Sequence, residues 1–455
     1  MQRPLLLKLF TLGLLSLLLL IPLLLIGDKL DERRSYRADA EQSIAHSWAG
    51  RQQVLGPVLV VPYVVRERVR EWDQDGKHHF DKEVQRKRQQ LILPDALQVD
   101  SRLATELRYL GIHQVPVYTA ALTFSGHYPS EPLRALRARA DVVSIGEPWL
   151  ALHVTDPIGL SAVPVAEWNG GERPFDGAGS GIDGLETGLH APLGEVDPDP
   201  LGGQLPFRLS VSLRGMAQIA VAPVGKSMTM NLQSVWPHPR FTGRVLPSTR
   251  SIGADGFSAR WQTTSQIARL SGKCGQGVCR DYLDNALGVA LVDPVDAYLQ
   301  TERSLKYGLL FVGLTFVGFL LIELLRRLRI HPVQYLLVGL ALTIFYLLLL
   351  SLAEHIAFGY AYGIATVACL SLLGYYLRHV LASTRLAALY TTLLALLYAT
   401  LYVIIGAEDY ALLMGSGLIF LSLALVMVLT RQLDWYRVGE RLAPARMPTR
   451  DDGAG

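Results

Sequence analysis

Six long apolar segments constrain this chain more than any other feature of its sequence. A helix rises about 1.5 Å per residue, so roughly 20 apolar residues are needed to cross the hydrocarbon core of a membrane. An unpaired backbone amide is costly in lipid, so each segment must close its hydrogen bonds as a helix. The segments span residues 5–26, 307–325, 333–352, 356–377, 386–405 and 411–429. Half of the 455 residues are apolar and 18% are charged, which is typical of a membrane protein.

The first segment is predicted to be an uncleaved anchor that covers residues 1–26. Arg3 and Lys8 precede its main apolar stretch, as basic residues do in a secretory signal peptide. The stretch at 9–26 is longer than the hydrophobic region of such a peptide, and no small-x-small site follows it directly. The nearest match, Ala38-Asp39-Ala40, lies far downstream among charged residues.

The distribution of arginine between the segments predicts the orientation of the chain, because arginine-rich loops stay in the cytoplasm during insertion. With the amino terminus inside, the inner loops and the tail hold Arg326, Arg327, Arg329, Arg378, Arg385, Arg431, Arg437, Arg441, Arg446 and Arg450. The two short outer loops then hold only Glu354, Glu408 and Asp409 as charged groups. We therefore expect cytoplasmic termini, an exported domain at 27–306, a five-helix bundle at 307–430 and a cytoplasmic tail at 431–455.

The exported residues are predicted to be mainly β, in two packed sheets, after a helix that continues from the anchor towards Trp48. The branched stretch 54–65 predicts a buried strand, in which Pro57 and Pro62 indicate an edge or a bulge. Asp75-Gly76 lies between two charged, alternating arms that span 64–93, which predicts a long hairpin. Further strands are predicted at 141–154, 207–213, 218–232 and 257–261, and alternation in 207–213 places Phe207, Leu209, Val211 and Leu213 on one face.

Two glycine-containing stretches resemble catalytic motifs without matching them. Residues 177–181 (GAGSG) lack the glycine two positions before Ser180 that a nucleophile elbow requires. Residues 224–227 (VGKS) resemble the end of a phosphate-binding loop, but Ala220 stands where its first glycine should be, so a turn is predicted. The whole stretch 169–203 is rich in Gly, Pro and Asp and is predicted to be a loop or a linker between two β units.

Glu354 and His355 interrupt an apolar run, and we interpret them as hydrated residues at the outer rim of the third membrane helix. With Glu408 and Asp409 they could instead form the outer mouth of a transport path, because charged groups in membranes are usually functional. The centres of the predicted helices offer hydroxyls rather than charges, which disfavours coupling through buried carboxylates. Glu323 is the exception, and its spacing predicts a local ion pair with Arg326 or Arg327.

The exported cysteines, Cys274 and Cys279, are predicted to form a disulfide, since an oxidising compartment would join two cysteines so close in sequence. A metal site would need two further ligands, and the nearest histidine, His238, is remote. His78 and His79 are adjacent on a predicted strand and so point to opposite faces. No catalytic residue, metal or cofactor is predicted.

Several motifs along nearly the whole chain resemble the CreD family of bacterial inner-membrane proteins. In the insert these are SW (47–48), GPVLVVPY (56–63), WPHPRFTG (236–243), GFSARW (256–261) and DPVDAY (293–298). In the membrane part they are KY (306–307), HPVQY (331–335), SLAEH (351–355), EDYALL (408–413) and TRQLDWY (430–436). The glycine-rich stretch at 170–203 and the cysteine pair match no part of the family that we can identify.

The resemblance implies an inner-membrane protein with a periplasmic domain, a role in cell-envelope integrity, colicin tolerance and stress response, and no established reaction. It also implies genes commonly associated with those for a sensor kinase and a response regulator. We therefore expect a non-enzymatic, membrane-anchored binding module, with Trp236, His238 and Phe241 as further candidate positions. Its expected partners are the bilayer and a periplasmic protein or envelope component, not nucleic acid. A transporter or lipid-handling protein is the alternative, and an exported hydrolase remains a third class.

Overall fold

The chain divides into two compact units, which are described separately here. The computed structural model describes residues 3–72, 79–177, 179–182, 184–197, 203–264, 279–292, 297–326, 328, 330–407 and 410–431. The membrane unit comprises residues up to Tyr36 together with those from Val295 onwards. The β unit comprises Arg37–Pro294.

Helices account for the described part of the membrane unit. In chain order the helices of the protein are α1 (Arg3–Leu18), α2 (Leu20–Trp48), α3 (Glu131–Ala138), α4 (Cys279–Asp284), α5 (Ala297–Lys306), α6 (Gly308–Arg326), α7 (Pro332–Ala353), α8 (Phe358–Val380), α9 (Thr384–Gly406) and α10 (Ala411–Thr430). Among the described residues, six helical segments are long and apolar enough to cross a membrane, namely 6–48, which joins α1 to α2, then α6 to α9, and 412–430 within α10. The prediction of six membrane helices, with a mainly β domain between the first and second, is confirmed.

Aromatic side chains and small residues hold the membrane unit together. Gly339 of α7 allows the first helix to approach, because any Cβ at this position would collide with the Leu19 side chain. Buried tyrosines bind neighbouring backbones: the Tyr362 hydroxyl donates to the Tyr398 carbonyl at 2.8 Å. The Tyr390 hydroxyl likewise donates to a carbonyl, at position 315 on α6. Each bond satisfies a phenol that lipid could not hydrate, so the tyrosines fix the helices against each other.

The described part of the β unit contains two sheets of eight strands each. The strands are β1 (Gln52–Trp72), β2 (His79–Ile92), β3 (Ala96–Leu110), β4 (His113–Pro129), β5 (Val142–Ile145), β6 (Trp149–Val154), β7 (Val165–Trp168), β8 (Gly171–Pro174), β9 (Leu189–Pro192), β10 (Gln204–Met216), β11 (Gln218–Val221), β12 (Ser227–Ser234), β13 (Pro239–Thr242), β14 (Thr249–Gly253), β15 (Gly256–Thr264) and β16 (Leu287–Leu291). Sheet A has the order β13-β16-β11-β1-β6-β9, with β2 and β5 also paired to β1. Sheet B has the order β14-β15-β12-β3-β4-β10-β7-β8.

Side chains from both sheets form one hydrophobic core. Its buried residues include Val58 of sheet A and Phe124 of sheet B. A buried hydrogen bond also joins the sheets, because the Tyr128 hydroxyl of β4 donates to the Pro57 carbonyl of β1 at 2.8 Å. Burial raises the pKa of Tyr128 well above its usual value, so this hydroxyl stays a donor over the physiological range.

The predicted strands are present, with one difference in β1. This strand pairs with β11 on one side and with β6 on the other, so it is not an edge strand. Its register with β6 shifts between Leu55 and Val58, and the predicted bulge is therefore confirmed. The two arms of the predicted hairpin are β1 and β2, paired from Leu59↔Ile92 outwards, while the Asp75-Gly76 turn lies outside the described residues.

Alternation in β10 follows the prediction, since Phe207, Leu209, Val211 and Leu213 are all buried. The VGKS stretch follows β11 and ends on Ser227, the first residue of β12, and it bends at Gly225 and Lys226 as the predicted turn requires. Within the glycine-rich stretch 169–203 the structure has two short strands, β8 and β9. The predicted domain boundaries, including a division of the β unit near 169–203, stay predictions.

Candidate functional site

The outer face of sheet B carries an almost uninterrupted set of polar side chains. Along its strands, alternate residues point into the core, so the intervening residues face solvent. The outward residues of the five central strands are Gln98, Asp100, Arg102, Thr119, Ala121, Thr123, Ser125, Arg208, Ser210, Ser212, Thr229, Asn231, Gln233, Ser258, Arg260 and Gln262. One solvated face is normal for a sheet of mainly antiparallel strands that packs its other face on the core, and the composition of this face identifies the chemistry that it offers.

Strand pairing aligns these side chains in rows across the sheet. Ser210 pairs with Thr123, which pairs with Asp100. The same row continues from Asp100 to Asn231 and then to Arg260. β3 and β12 are parallel neighbours in the sheet, although they lie far apart in the sequence. A sheet face of this kind presents hydroxyls, amides and guanidinium groups at fixed spacing.

Three adjoining depressions on this face form what we call the polar groove. Their volumes are 580, 410 and 310 Å³. The two larger depressions share Gln233 and Ser258, and the two smaller ones share Asn231 and Arg260. The groove therefore runs continuously across β3, β12 and β15 and reaches the edge strand β14.

The polar groove is positively charged. Three exposed arginines line it, Arg102, Arg250 and Arg260, against two acids, Asp100 and the exposed Asp255, which leaves a net positive charge. None of them forms an ion pair with another described residue. The acidic Asp100 is occupied, because it accepts hydrogen bonds from the Gln98 amide at 2.9 Å and from the Asn231 amide at 2.7 Å. The groove thus offers guanidinium groups whose hydrogen-bond donors are free for an acidic ligand.

The aromatic motif predicted as a candidate position packs against the core instead of lining the groove. The Trp236 indole donates to the Val292 carbonyl at 3.0 Å. The Phe241 ring contacts Trp261 edge-on, with centroids 5.6 Å apart. His238 is exposed, and its backbone carbonyl accepts a hydrogen bond from the Val292 amide. These contacts fix the chain between β12 and β13 and account for the two aromatic residues structurally.

The two rim residues lie at the end of α7, and the structure separates their environments. Glu354 is largely buried, and its carboxylate lies 3.4 Å from the Arg33 guanidinium of α2. His355 is exposed in the turn that precedes α8. An ion pair with the first helix gives Glu354 a structural role, while a transport role for both residues stays a prediction.

The remaining predicted positions are Glu408, Asp409 and the two exported cysteines. Glu408 and Asp409 lie outside the described residues, and so does Cys274. Cys279 is the first residue of α4. The predicted disulfide and the predicted acidic mouth at 408–409 therefore stay predictions.

The membrane unit contains a buried ion pair, of which the sequence indicated Glu323 but not its partner. The carboxylate of Glu323, whose side chain is 2% exposed, binds the ammonium group of Lys8 on α1. It also accepts hydrogen bonds from the Tyr335 hydroxyl at 2.8 Å and from the Ile330 amide at 3.1 Å. The predicted partner Arg326 is exposed at the end of α6, and Arg327 lies outside the described residues. Lys8 approaches Glu323 only through tertiary packing, so local spacing could not reveal this partner, and the predicted pair with Arg327 stays a prediction.

The environment of Ser180 does not resemble that of an activated nucleophile. Its hydroxyl is buried, donates to the Leu185 carbonyl and accepts from the Ile182 amide at 3.2 Å. The Nδ1 atom of the nearby His190 lies 2.8 Å from the Gly179 carbonyl. Across the described ranges, no three His, Cys, Asp or Glu side chains are grouped as a metal ion would require.

Comparisons with known proteins agree on one family. The family model described as "Inner membrane protein CreD" matches residues 4–436. The chain is 34% identical to the protein named inner membrane protein CreD of Escherichia coli (strain K12) over 444 residues. That alignment covers 96% of this chain and 95% of the relative.

Proposed function

The chain belongs to the CreD family of inner membrane proteins, and from this premise we propose that it supports cell-envelope integrity as a non-enzymatic binding module. In this proposal the β unit lies in the periplasm, and its polar groove binds an acidic component of the envelope. The membrane helices hold this module at the surface of the inner membrane. Binding at the groove contributes to the response of the cell to envelope stress.

The observation that carries the proposal is the unpaired charge of the polar groove. Exposed arginines on a folded surface commonly pair with nearby acids, as Arg70 does with Asp81 on the β1–β2 hairpin at 3.6 Å. Arg102, Arg250 and Arg260 have no such partner among the residues described. A ligand that bears carboxylate or phosphate groups would bind each guanidinium through charge-assisted hydrogen bonds.

The extent of the groove across several strands favours an extended partner over a small molecule. Its three depressions share residues and cross several strands, whereas a small-ligand site is usually a single enclosed pocket. Ser, Thr, Asn and Gln side chains between the arginines can donate and accept hydrogen bonds along such a partner. Affinity should therefore depend on both charge and length of the ligand, and it should fall with salt.

The test compares two triple variants with the same loss of charge. The groove variant carries Arg102→Gln, Arg250→Gln and Arg260→Gln. The control carries Arg66→Gln, Arg68→Gln and Arg70→Gln on the hairpin, where each arginine already lies near an acid. A photo-crosslinking amino acid at Gln233, an exposed residue of the groove, reports the partner in intact cells under envelope stress.

We expect the groove variant to lose the crosslinked partner and to become as sensitive to envelope stress as cells that lack the protein. The hairpin control should retain both. Equal behaviour of the two variants, at matched membrane levels, would show that the groove arginines have no part in the function.

The transporter or lipid-handling alternative rests on the acidic residues at the predicted outer rim. Its test is the set of substitutions Glu354→Gln, His355→Gln, Glu408→Gln and Asp409→Asn in the full chain. Loss of the envelope phenotype with normal insertion, combined with full activity of the groove variant, would favour this alternative.

A further inference from the structure

A groove of 510 Å³ lies between α8 and α9 in the membrane unit, near the turn that joins them. Small residues leave this space, because Gly374 of α8 faces Thr391 of α9. A Cβ atom on Gly374 would lie 3.3 Å from the Thr391 hydroxyl oxygen. Leu370 and Ala388 also line the groove, so it has an apolar floor and side.

The end of this groove nearest the turn is positively charged. Arg378 of α8 lines the groove, and Arg385 lies in the first turn of α9. Both are exposed, and neither has an ion-pair partner in the described part of the chain. The sequence from 355 to 407, which includes all of α8 and α9, contains no Asp or Glu at all. The positive charges of Arg378 and Arg385 are therefore not balanced by any acidic residue of α8 or α9.

Polar groups without a hydrogen-bond partner in the described part of the chain also lie beside the groove. The Thr391 hydroxyl oxygen is buried and makes no hydrogen bond to any residue that the structure describes. Ser383 is the residue before α9, and its side chain accepts from the Leu386 amide at 3.4 Å. The amides of Thr384 and Arg385, which come before Leu386 in the first turn, have no intrahelical acceptor. The amides at the charged end of the groove suit an acidic group. The hydroxyl further along the groove suits the ester oxygens that follow such a group.

We propose that this groove binds one anionic phospholipid. The phosphate lies between Arg378 and the first turn of α9, and one acyl chain lies along the groove past Gly374. Charge complementarity selects an anion, and an apolar groove between membrane helices selects a ligand that carries a hydrocarbon chain. Retention of this lipid would be independent of the polar groove of the β unit.

The test uses the full-length protein, purified in a mild detergent and incubated with phosphatidylglycerol or with the zwitterionic phosphatidylcholine. Native mass spectrometry counts the lipids retained on each protein. Arg378→Gln tests the charge. Ala388→Leu tests the shape, because this exposed, lipid-facing residue can be enlarged without disturbing the interior. Arg326→Gln is the matched control, since Arg326 is also an exposed arginine at the end of a membrane helix.

We expect the parent protein and the Arg326→Gln control to retain phosphatidylglycerol in preference to phosphatidylcholine. Arg378→Gln should reduce that preference about fivefold, as expected for the loss of one arginine near an anionic lipid. Ala388→Leu should reduce retention of phosphatidylglycerol, because the larger side chain fills the groove that holds the acyl chain. Inorganic phosphate has no acyl chain, so its binding should be the same in Ala388→Leu as in the parent protein. Equal retention of the two lipids by the parent, or the same loss in Arg326→Gln as in Arg378→Gln, would overturn the proposal.

Discussion

The contact between Lys8 and Glu323 provides a quantitative test of how the first helix is held in the membrane unit. Replacing one member of a buried ion pair costs about 3–5 kcal/mol, because the other charge is left without its partner. The Glu323 side chain is 2% exposed and the Lys8 side chain is 17% exposed, so the free-energy costs of replacing the two residues should differ within that range.

The structure indicates which substitution costs more. In Lys8→Met the buried carboxylate keeps only the Tyr335 hydroxyl and the Ile330 amide, which are neutral donors, so we expect a loss near 5 kcal/mol. In Glu323→Gln the amide oxygen can still accept from Tyr335, and the long Lys8 side chain can reach towards the interface, so we expect about 3 kcal/mol. The double variant removes both charges and should lie within about 2 kcal/mol of the parent.

The assay is reversible unfolding of the membrane unit in mixed micelles, compared at a fixed fraction of denaturing detergent. The double-mutant cycle then gives the coupling free energy of the pair. Lys29→Met and Glu32→Gln form the matched cycle, because that pair is in contact at 2.6 Å but is exposed on the same first helix. Exposed pairs contribute roughly 0–1 kcal/mol. A Lys8–Glu323 coupling no larger than that of Lys29–Glu32 would refute the assignment of a buried ion pair.

Three further outcomes can be measured by urea unfolding followed by tryptophan fluorescence, which reports on the β unit because six of the seven tryptophans lie within 37–294. Tyr128→Phe should lower the free energy of unfolding by about 1–3 kcal/mol, since it leaves the buried Pro57 carbonyl without its donor. Trp236→Phe should lower the free energy of unfolding by about 1 kcal/mol, because it removes the hydrogen bond to the Val292 carbonyl. Partner crosslinking at the polar groove should stay unchanged in this variant. Loss of crosslinking would instead make Trp236 a residue that binds the ligand. Burial lowers the pKa of His153 below 6.5, and the hydrogen bond to the Thr187 carbonyl acts in the opposite direction. The unfolded chain therefore binds a proton that the folded chain excludes, so stability should fall as the pH is lowered through 6.5, and His153→Gln should remove that part of the pH dependence.

Local patterns in the sequence were sufficient to predict the elements of the fold. Apolar runs of helix length identify all six membrane helices, because lipid forces each run to satisfy its own backbone. Alternation in 207–213 identifies the buried face of β10, because one side of that strand must enter the core. The edge position suggested by the prolines of 54–65 was wrong, since the bulge at 55–58 accommodates Pro57 within a central strand.

Contacts between distant residues could not be predicted in the same way. Lys8 and Glu323 are 315 positions apart, and only helix packing reveals that the second basic residue of the anchor faces the acid of α6. The polar groove depends on the register between β3, β12 and β15, so its arginines look like ordinary surface residues in the sequence. The motif around Trp236 could be recognised in the sequence because its composition is unusual. In the structure, however, Trp236 and Phe241 pack against the core and do not line the polar groove.

The topology of sheet A has a consequence for synthesis of the protein. β1 is among the first strands to be made, yet its parallel neighbour β11 follows more than 160 residues later, and β16 beyond it is later still. At about 5–20 residues per second, roughly 10–30 s separate the first strand from that neighbour. During this interval Gln52–Val54 of β1 lack the partner that β11 later supplies, so the growing chain carries an unpaired strand segment to which holding chaperones can bind.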